Sequence, residues 1–484
     1  MAVCVAQIYC WEGLAGGKGV NRSQHAPGPK AGLGIRDLLS FRRDPIAFLQ
    51  NLASHHGDVT HFRLGWKNAF LLNHPDLVHE FLVTHAPSHL RGPVMQRSRA
   101  IMGDGLLTSE DPMHAAQRRL IQPAFHRDRI TRHATVMAKY TSNMCAWWRP
   151  GEILDLRKEM MSLTLAILGK TLFDTPISED ASEIGEAVTK LMALVDLVFV
   201  PFSRYLPLPG LRRLKRARAR LDRLIYGLID ERLRSGVDHG DLLSMLLQSA
   251  GEKSASAIRQ VRDECLTILL AGHETIANAL AYALFLLAQH YDCAEKVRIE
   301  VEKIAGQREL GAEDFDRLTF TRAVLAESMR LYPPVWVLGR GITQPCSVGP
   351  YTAPAGSILF VSQYLLHRDS RFFHEPLRFH PERFLENSPT QRFAYFPFGI
   401  GPRRCIGEGF AWMEGVLALA TITRKWNIEL LHETKLVLDA KITLRPKFPI
   451  QVKLTPAQQK ATSGAQTTCE EHASERVTAR LAAS

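Results

Sequence analysis

The sequence predicts a mainly α-helical fold with small β-sheets, built as a single large domain. Three observations carry that expectation. From Pro75 to about residue 335, apolar residues recur at three- and four-residue intervals with few interruptions. One stretch of this pattern, from about Ala257 to His290, is long enough to run through the middle of a large core. Short β-like runs are confined to residues 59–73 and to the chain beyond residue 335.

Taken in order, residues 1–26 read as a flexible leader and VNRSQHAPGPKAG (20–32) as an entry linker. Asp44-Pro45 caps a helix that ends near Gly57. VTHFRL (59–64) and AFLLN (69–73) flank the turn GWKN as a hairpin. The helical text that follows breaks at Pro150-Gly151 and at LPLPG (206–210). Beyond residue 335, SILFVSQ and FHPERF alternate with proline turns before a last helix over about 406–424. Residues 27–454 are therefore expected to form the domain, and 455–484, without a core-forming pattern, a disordered tail.

The 484 residues suffice for two or three average domains, yet no internal repeat divides them. With 60 Lys and Arg against 49 Asp and Glu, the net charge is +11. That balance suits an acidic partner, an anionic cofactor or simply a solvated basic surface. No basic block dense enough to suggest nucleic acid stands out. The cysteines at 4, 10, 145, 265, 293, 346, 405 and 469 contain no CxxC pair, so neither a disulfide framework nor a cysteine-rich zinc site is indicated, and a reduced, cytoplasmic setting is expected. GLAGGKG fails as a phosphate loop, because Glu12 and Gly19 replace the glycine and hydroxyl residues it requires. No transmembrane anchor is expected: the apolar segment CLTILLAGHETIANALAYALFLLA carries His273, Glu274, Thr275 and Asn278 at its centre, where a bilayer makes them costly.

FPFGIGPRRCIG (396–407) is the chain's most unusual stretch. Gly399 and Gly401 permit backbone angles closed to other residues, and Pro397 and Pro402 stiffen the loop. Cys405 would then sit at a helix N-terminus, where a thiolate is favoured as a metal ligand or nucleophile; a buried, inert cysteine is the alternative. The motif Phe398-x-x-Gly401-x-Arg403-x-Cys405-x-Gly407 resembles the haem-binding signature FxxGxRxCxG of the cytochrome P450 family.

That resemblance implies the cytochrome P450 fold, with iron protoporphyrin IX (haem b) as cofactor and Cys405 as its proximal thiolate. It further implies that Phe398 lies beside the sulfur, that Gly401 and Gly407 shape the loop, and that Arg403 holds a haem propionate. Three more matches extend it. Ala271-Gly272-His273-Glu274-Thr275 is similar to the family's oxygen-activating [AG]Gx[DE]T. It implies that small Ala271 and Gly272 let the helix pass over the haem while Thr275 and Glu274 serve oxygen and protons. Alternatively, such a threonine bonds back to its helix and such a glutamate pairs with a basic neighbour. Glu327-Ser-Met-Arg330 matches ExxR, implying with Arg383 of PERF a buried structural network. His114-x-x-x-Arg118 shares one helix face, and with Arg340 it is similar to the family's propionate contacts.

The resemblance implies a monooxygenase that inserts one atom of O2 into a hydrophobic substrate. Its electrons would come from a separate ferredoxin or flavodoxin with its reductase, docking on the basic side near Arg403 and Arg404. A peroxide-driven peroxygenase, an isomerase and a non-catalytic haem sensor are the rival readings. Apolar text at about 92–108, 190–205 and 335–338 is expected to line the pocket.

Overall fold

The computed structural model describes residues 26–29, 34–175, 209–251, 254–385, 391–431 and 436–457. The leader, most of the entry linker, the segment 190–205 and most of the C-terminal tail lie outside them. Helices run in the order α1 (Ile35–Arg43), α2 (Pro45–His56), α3 (Pro75–His79), α4 (Pro93–Met102), α5 (Met113–Ile121), α6 (Arg127–Trp147), α7 (Leu156–Phe173), α8 (Pro209–Ser235), α9 (Leu242–Ser249), α10 (Ala255–Gln289), α11 (Tyr291–Ala305), α12 (Thr319–Leu331) and α13 (Glu408–Lys425), with shorter turns between.

Local chemistry sets these boundaries. Asp44 caps α2 by accepting the Ala47 amide at 3.0 Å, with Pro45 in the first turn. Ser254 does the same for α10, accepting the Ala257 amide at 3.3 Å. Helix α10 is buried along nearly all of residues 261–287 and packs against α7, α8, α12 and α13. It alone among the described helices is long and apolar enough to cross a membrane, but 83% of its most apolar window lies inside the protein. A core helix meets the same test of length and composition.

The main sheet has the strand order β1 (Val59–Leu64), β2 (Lys67–Leu72), β8 (Ile358–Val361), β5 (Leu338–Ile342), β3 (His89–Arg91). Strands β2 and β8 are parallel and the other pairs antiparallel. The hairpin β1–β2 forms where the sequence places it, whereas β3 lies within text that reads as helical. Three residues are too few to show a period of two, and only the pairing of β3 with β5 makes them a strand. That pairing sets Arg91 directly opposite Arg340. A second sheet joins β4 (Ile153–Asp155), β12 (Gln451–Pro456) and β9 (Trp426–Leu430). Residues 455–456 thus belong to a strand rather than to the tail, because Thr455 and Pro456 stand opposite Asn427 and Trp426.

The segment following β8 is held by one buried guanidinium. Arg330, on α12, donates to Glu327 at 2.7 and 2.8 Å, to the carbonyls of His367 and Pro376 at 2.7 and 2.6 Å, and to that of Arg378 at 3.2 Å. Its face lies 5.2 Å from the Phe373 ring. Glu327 also accepts from the His380 amide at 2.9 Å and from Arg383 at 3.1 Å. Neither member of the i, i+3 pair retains solvent exposure, so it is far from the weak surface ion pair that this spacing usually makes.

Removing one partner strands the other charge in the core, at a cost of about 3–5 kcal/mol. Arg330→Met is therefore expected to lower the urea midpoint of unfolding sharply, whereas Lys303→Met on the exposed side of α11 leaves it within error. An unchanged Arg330→Met midpoint would show that the network does not hold the fold.

Candidate active site

The loop 396–407 is fastened from behind by His367. Its Nε2 accepts the Phe396 amide at 3.0 Å while its carbonyl accepts Arg330, which links the Glu327–Arg330 pair to the cysteine loop. Burial holds this imidazole neutral, well below its ordinary pKa, as an acceptor requires. Tyr395 adds a hydrogen bond to the Ala326 carbonyl at 2.9 Å. Within the loop, the Cys405 amide donates to the Phe398 carbonyl at 2.9 Å. Gly401 has φ +76°, and a Cβ there would stand 2.1 Å from the Leu82 carbonyl oxygen, so no other residue fits. Gly407 precedes α13, and a Cβ there would meet the Phe125 ring at 3.5 Å, an ordinary van der Waals contact. The half-buried Phe398 ring lies 5.7 Å from Trp412.

Helix α13 starts at Glu408, so Cys405 precedes its first turn rather than lying within it. The thiol keeps accessible surface, yet protein encloses it closely enough that desolvation pushes its pKa up to about 11. The Gly407 amide, Arg118 and Arg404 oppose that rise without overcoming it. The expected thiolate thus needs a further positive charge at the sulfur, because the Gly407 amide and the two arginines do not offset the desolvation.

Basic groups gather around the same loop. Arg340 is buried and donates to the Gly339 carbonyl at 2.9 Å; burial, then Arg403, pulls its pKa down to about 10. Arg91 is depressed further by burial and by Arg340 and Arg403, and its Nε lacks a partner among the described residues. His114 falls to about 4 through burial and the repulsion of Arg403 and Arg91. Arg403 donates to the Ser109 carbonyl at 3.0 Å and to Glu110 at 2.8 Å. Arg118 donates to the Arg404 carbonyl at 2.7 Å and stands near Cys405. Glu110 and Asp111 are the nearby acids. Like charges opposed across β3–β5 are unfavourable, and this surplus of buried positive charge suits a group with carboxylates. Together with the accessible sulfur, it fits haem.

Along residues 261–287 of α10, only Ala271, Gly272 and Thr275 are not fully buried, which opens one face of the helix at mid-length. The Thr275 hydroxyl donates back to the Ala271 carbonyl at 2.8 Å. Gly272 also faces a neighbouring helix: a Cβ there would stand 2.9 Å from Leu168 Cδ1 on α7. Glu274 Oε1 accepts from Arg157 and Thr443, both at 3.2 Å, and Oε2 is buried without a partner among the described residues.

A strap, residues 103–111, ties this helix to the cysteine loop. Asp263 accepts the Asp104 amide and Glu264 the Leu106 amide, both at 2.9 Å. Side chains at Gly103 and Gly105 would collide with Asp263 and Thr267. At its other end the strap presents Ser109, Glu110 and Asp111 to Arg403. Burial raises Glu264 to about 7.

Sequence reasoning missed Arg91, Arg157, Asp263, Glu264 and His367. Nothing local distinguishes them, since each acquires its partner from more than 100 residues away or from a neighbouring strand or loop. Of the segments expected to line the pocket, 335–338 is partly core: Trp336 is buried and donates to the Lys441 carbonyl at 2.8 Å. Arg403, with its side chain only 8% exposed, is not a surface docking residue, whereas Arg404 is 55% exposed and paired with Glu408.

Comparison with known proteins agrees with this geometry. A family model described as cytochrome P450 matches residues 27–454. The cyclooctat-9-en-7-ol 5-monooxygenase of Streptomyces melanosporofaciens is 36% identical over 421 residues, covering 85% of this chain and 90% of that protein. The pentalenene oxygenase of Streptomyces avermitilis is 31% identical, covering 85% and 93%. The cytokinin hydroxylase of Arabidopsis thaliana is 30% identical, covering 81% and 80%.

The strap generates a pH prediction. Because Glu264 rises from 4.5 to about 7 on folding, the folded state binds the extra proton between those values, and stability falls as pH increases through that window. The loss approaches roughly 3 kcal/mol. Glu264→Gln should flatten this part of a urea-unfolding pH series between pH 4.5 and 7.5; an unchanged slope would remove Glu264 as its source.

Proposed function

The chain belongs to the cytochrome P450 family, and from that premise we propose which of its residues carry the chemistry and what kind of molecule it oxidises. It is a haem-dependent monooxygenase acting on a hydrophobic substrate. Bound haem supplies dioxygen activation: the reaction takes the substrate, O2, two electrons and two protons, and yields the mono-oxygenated product and water.

In this reading Cys405 Sγ would be the metal ligand, and a thiolate there would supply the electron donation that haem oxygen chemistry draws on. The accessible sulfur on a loop fastened by His367 is the observation that carries the assignment. His114, Arg118, Arg340 and Arg403, joined by Arg91, would hold the propionates, which compensate the buried positive charge. Ala271 and Thr275 would form the oxygen-side face. Thr275 can turn its hydroxyl from the Ala271 carbonyl toward that face for about 1 kcal/mol, the net worth of one such bond. Glu274 Oε2 is the atom at which a proton can be held, with Arg157 and Thr443 fixing the other oxygen.

Electrons would arrive singly from a separate ferredoxin or flavodoxin with its reductase. The cationic groups beside Cys405, Arg118 and the exposed Arg404, suit an acidic donor. A cytoplasmic location is part of the proposal. The relatives named for cyclooctat-9-en-7-ol and pentalenene point to a cyclic, terpenoid-like hydrocarbon or alcohol with few polar groups.

The carbon monoxide difference spectrum of the reduced protein tests the ligand. A thiolate-type Soret band is expected, and its loss in Cys405→Ala; a variant that retains the band would exclude Cys405. Thr275→Ala is expected to keep the band while diverting NADPH equivalents to hydrogen peroxide, assayed with ferredoxin and reductase on a cyclic terpene alcohol. Unchanged coupling would take Thr275 out of oxygen activation, and product formed only when peroxide is added would replace this reading with a peroxygenase.

A further inference from the structure

The most strongly charged feature outside the site is helix α8. Its sequence from residue 212, RRLKRARARLDR, interleaves seven basic residues with Leu and Ala, and in linear order the spacing hides how they fall in space. In the helix, Leu214, Ala217, Leu221, Ile225 and Ile229 are buried against the core. The intervening turns leave Arg212, Arg213, Lys215, Arg216 and Arg223 exposed on the opposite side.

None of these five has an ion-pair partner among the described residues. The acid within the run, Asp222, is already engaged by Arg262 on α10 and by Arg218 at 3.6 Å. The next acid, Asp230, lies two turns further along. Arg212, Arg216 and Arg223 fall within about 40° of one another around the axis and span about 16 Å along it. Mutual repulsion along such a stripe persists until an anionic surface covers it.

We propose that the outer face of α8 docks the protein on an anionic phospholipid bilayer. The proposal rests on the reading of the substrate as an apolar, terpenoid-like molecule, which would partition into lipid. The helical spacing sets Arg212, Arg216 and Arg223 in one row along the axis, an arrangement that suits a plane of phosphates. The exposed face carries Ala219 and Tyr226 but no exposed large aliphatic side chain among the described residues, so the contact is chiefly electrostatic and peripheral.

Co-sedimentation of the full chain with vesicles tests this. Partition onto equimolar phosphatidylglycerol and phosphatidylcholine is expected to exceed that onto phosphatidylcholine alone and to weaken as salt rises. Each basic residue near such a surface contributes about fivefold, so the triple variant Arg212→Gln, Arg216→Gln, Arg223→Gln should lose on the order of 100-fold. A variant with the same charge change elsewhere, Lys139→Gln, Lys303→Gln, Arg322→Gln, should keep most of the partition.

Failure to bind anionic vesicles at physiological salt overturns the proposal, as does an equal loss in both variants. Capture of duplex DNA without vesicle partition would assign the stripe to nucleic acid and also overturn it. The measurement needs neither substrate nor turnover, so its failure leaves the oxygenase reading intact, and loss of the thiolate band would leave the vesicle result intact.

Discussion

Much of this molecule depends on the burial of one guanidinium. Arg330 has five donors, and the structure supplies a carboxylate and three backbone carbonyls to satisfy them within a region shielded from solvent. Because leaving such a group unpaired is so costly, the segment carrying those carbonyls has little freedom. His367 transmits the constraint: one peptide oxygen faces Arg330 while its ring accepts the Phe396 amide that begins the cysteine loop. Few regular hydrogen bonds hold that loop internally, so its position derives from α12 as much as from its own glycines.

A second constraint is electrostatic and has the opposite character. Around the site the protein leaves charge incompletely compensated, with Arg91, Arg340 and Arg403 sharing two nearby acids while burial and these cations keep His114 neutral. The cysteine sulfur is likewise protonated in the polypeptide alone. Both departures from local stability would be relieved together by one ligand that brought a cation to the sulfur and carboxylates to the arginines. The strap 103–111 makes the two halves interdependent, because it presents Glu110 and Asp111 to Arg403 only while Asp263 and Glu264 hold its other end to α10.

Motif spacing made the chemistry legible and left its immediate surroundings illegible. The loop around Cys405, the pair Glu327–Arg330 and the pentapeptide 271–275 are visible because their members lie close in sequence and the required geometry restricts residue type. Arg383 was found through PERF, itself a local word. Arg91 was not, since a three-residue strand has no period and its significance lies in standing opposite Arg340. At Gly272 the structure adds a packing constraint that the motif does not reveal, since a Cβ there would meet Leu168. Thr275 and Glu274 take the local partners that their residue types permit, a helical carbonyl and a basic neighbour, and this coexists with a place on or beside the open face.

By itself the sequence determined the fold class, the helical frame with its caps and hairpin, and the short motifs that carry the chemistry, because these follow from periodicity and spacing along the chain. Only the tertiary structure decided the pairing of β3 with β5, the strap and its two carboxylates, the role of His367, the burial of Arg403 and the cationic face of α8. Each of these depends on which distant groups share a region of low dielectric or one side of a helix, and desolvation and mutual repulsion act through space without regard to sequence separation.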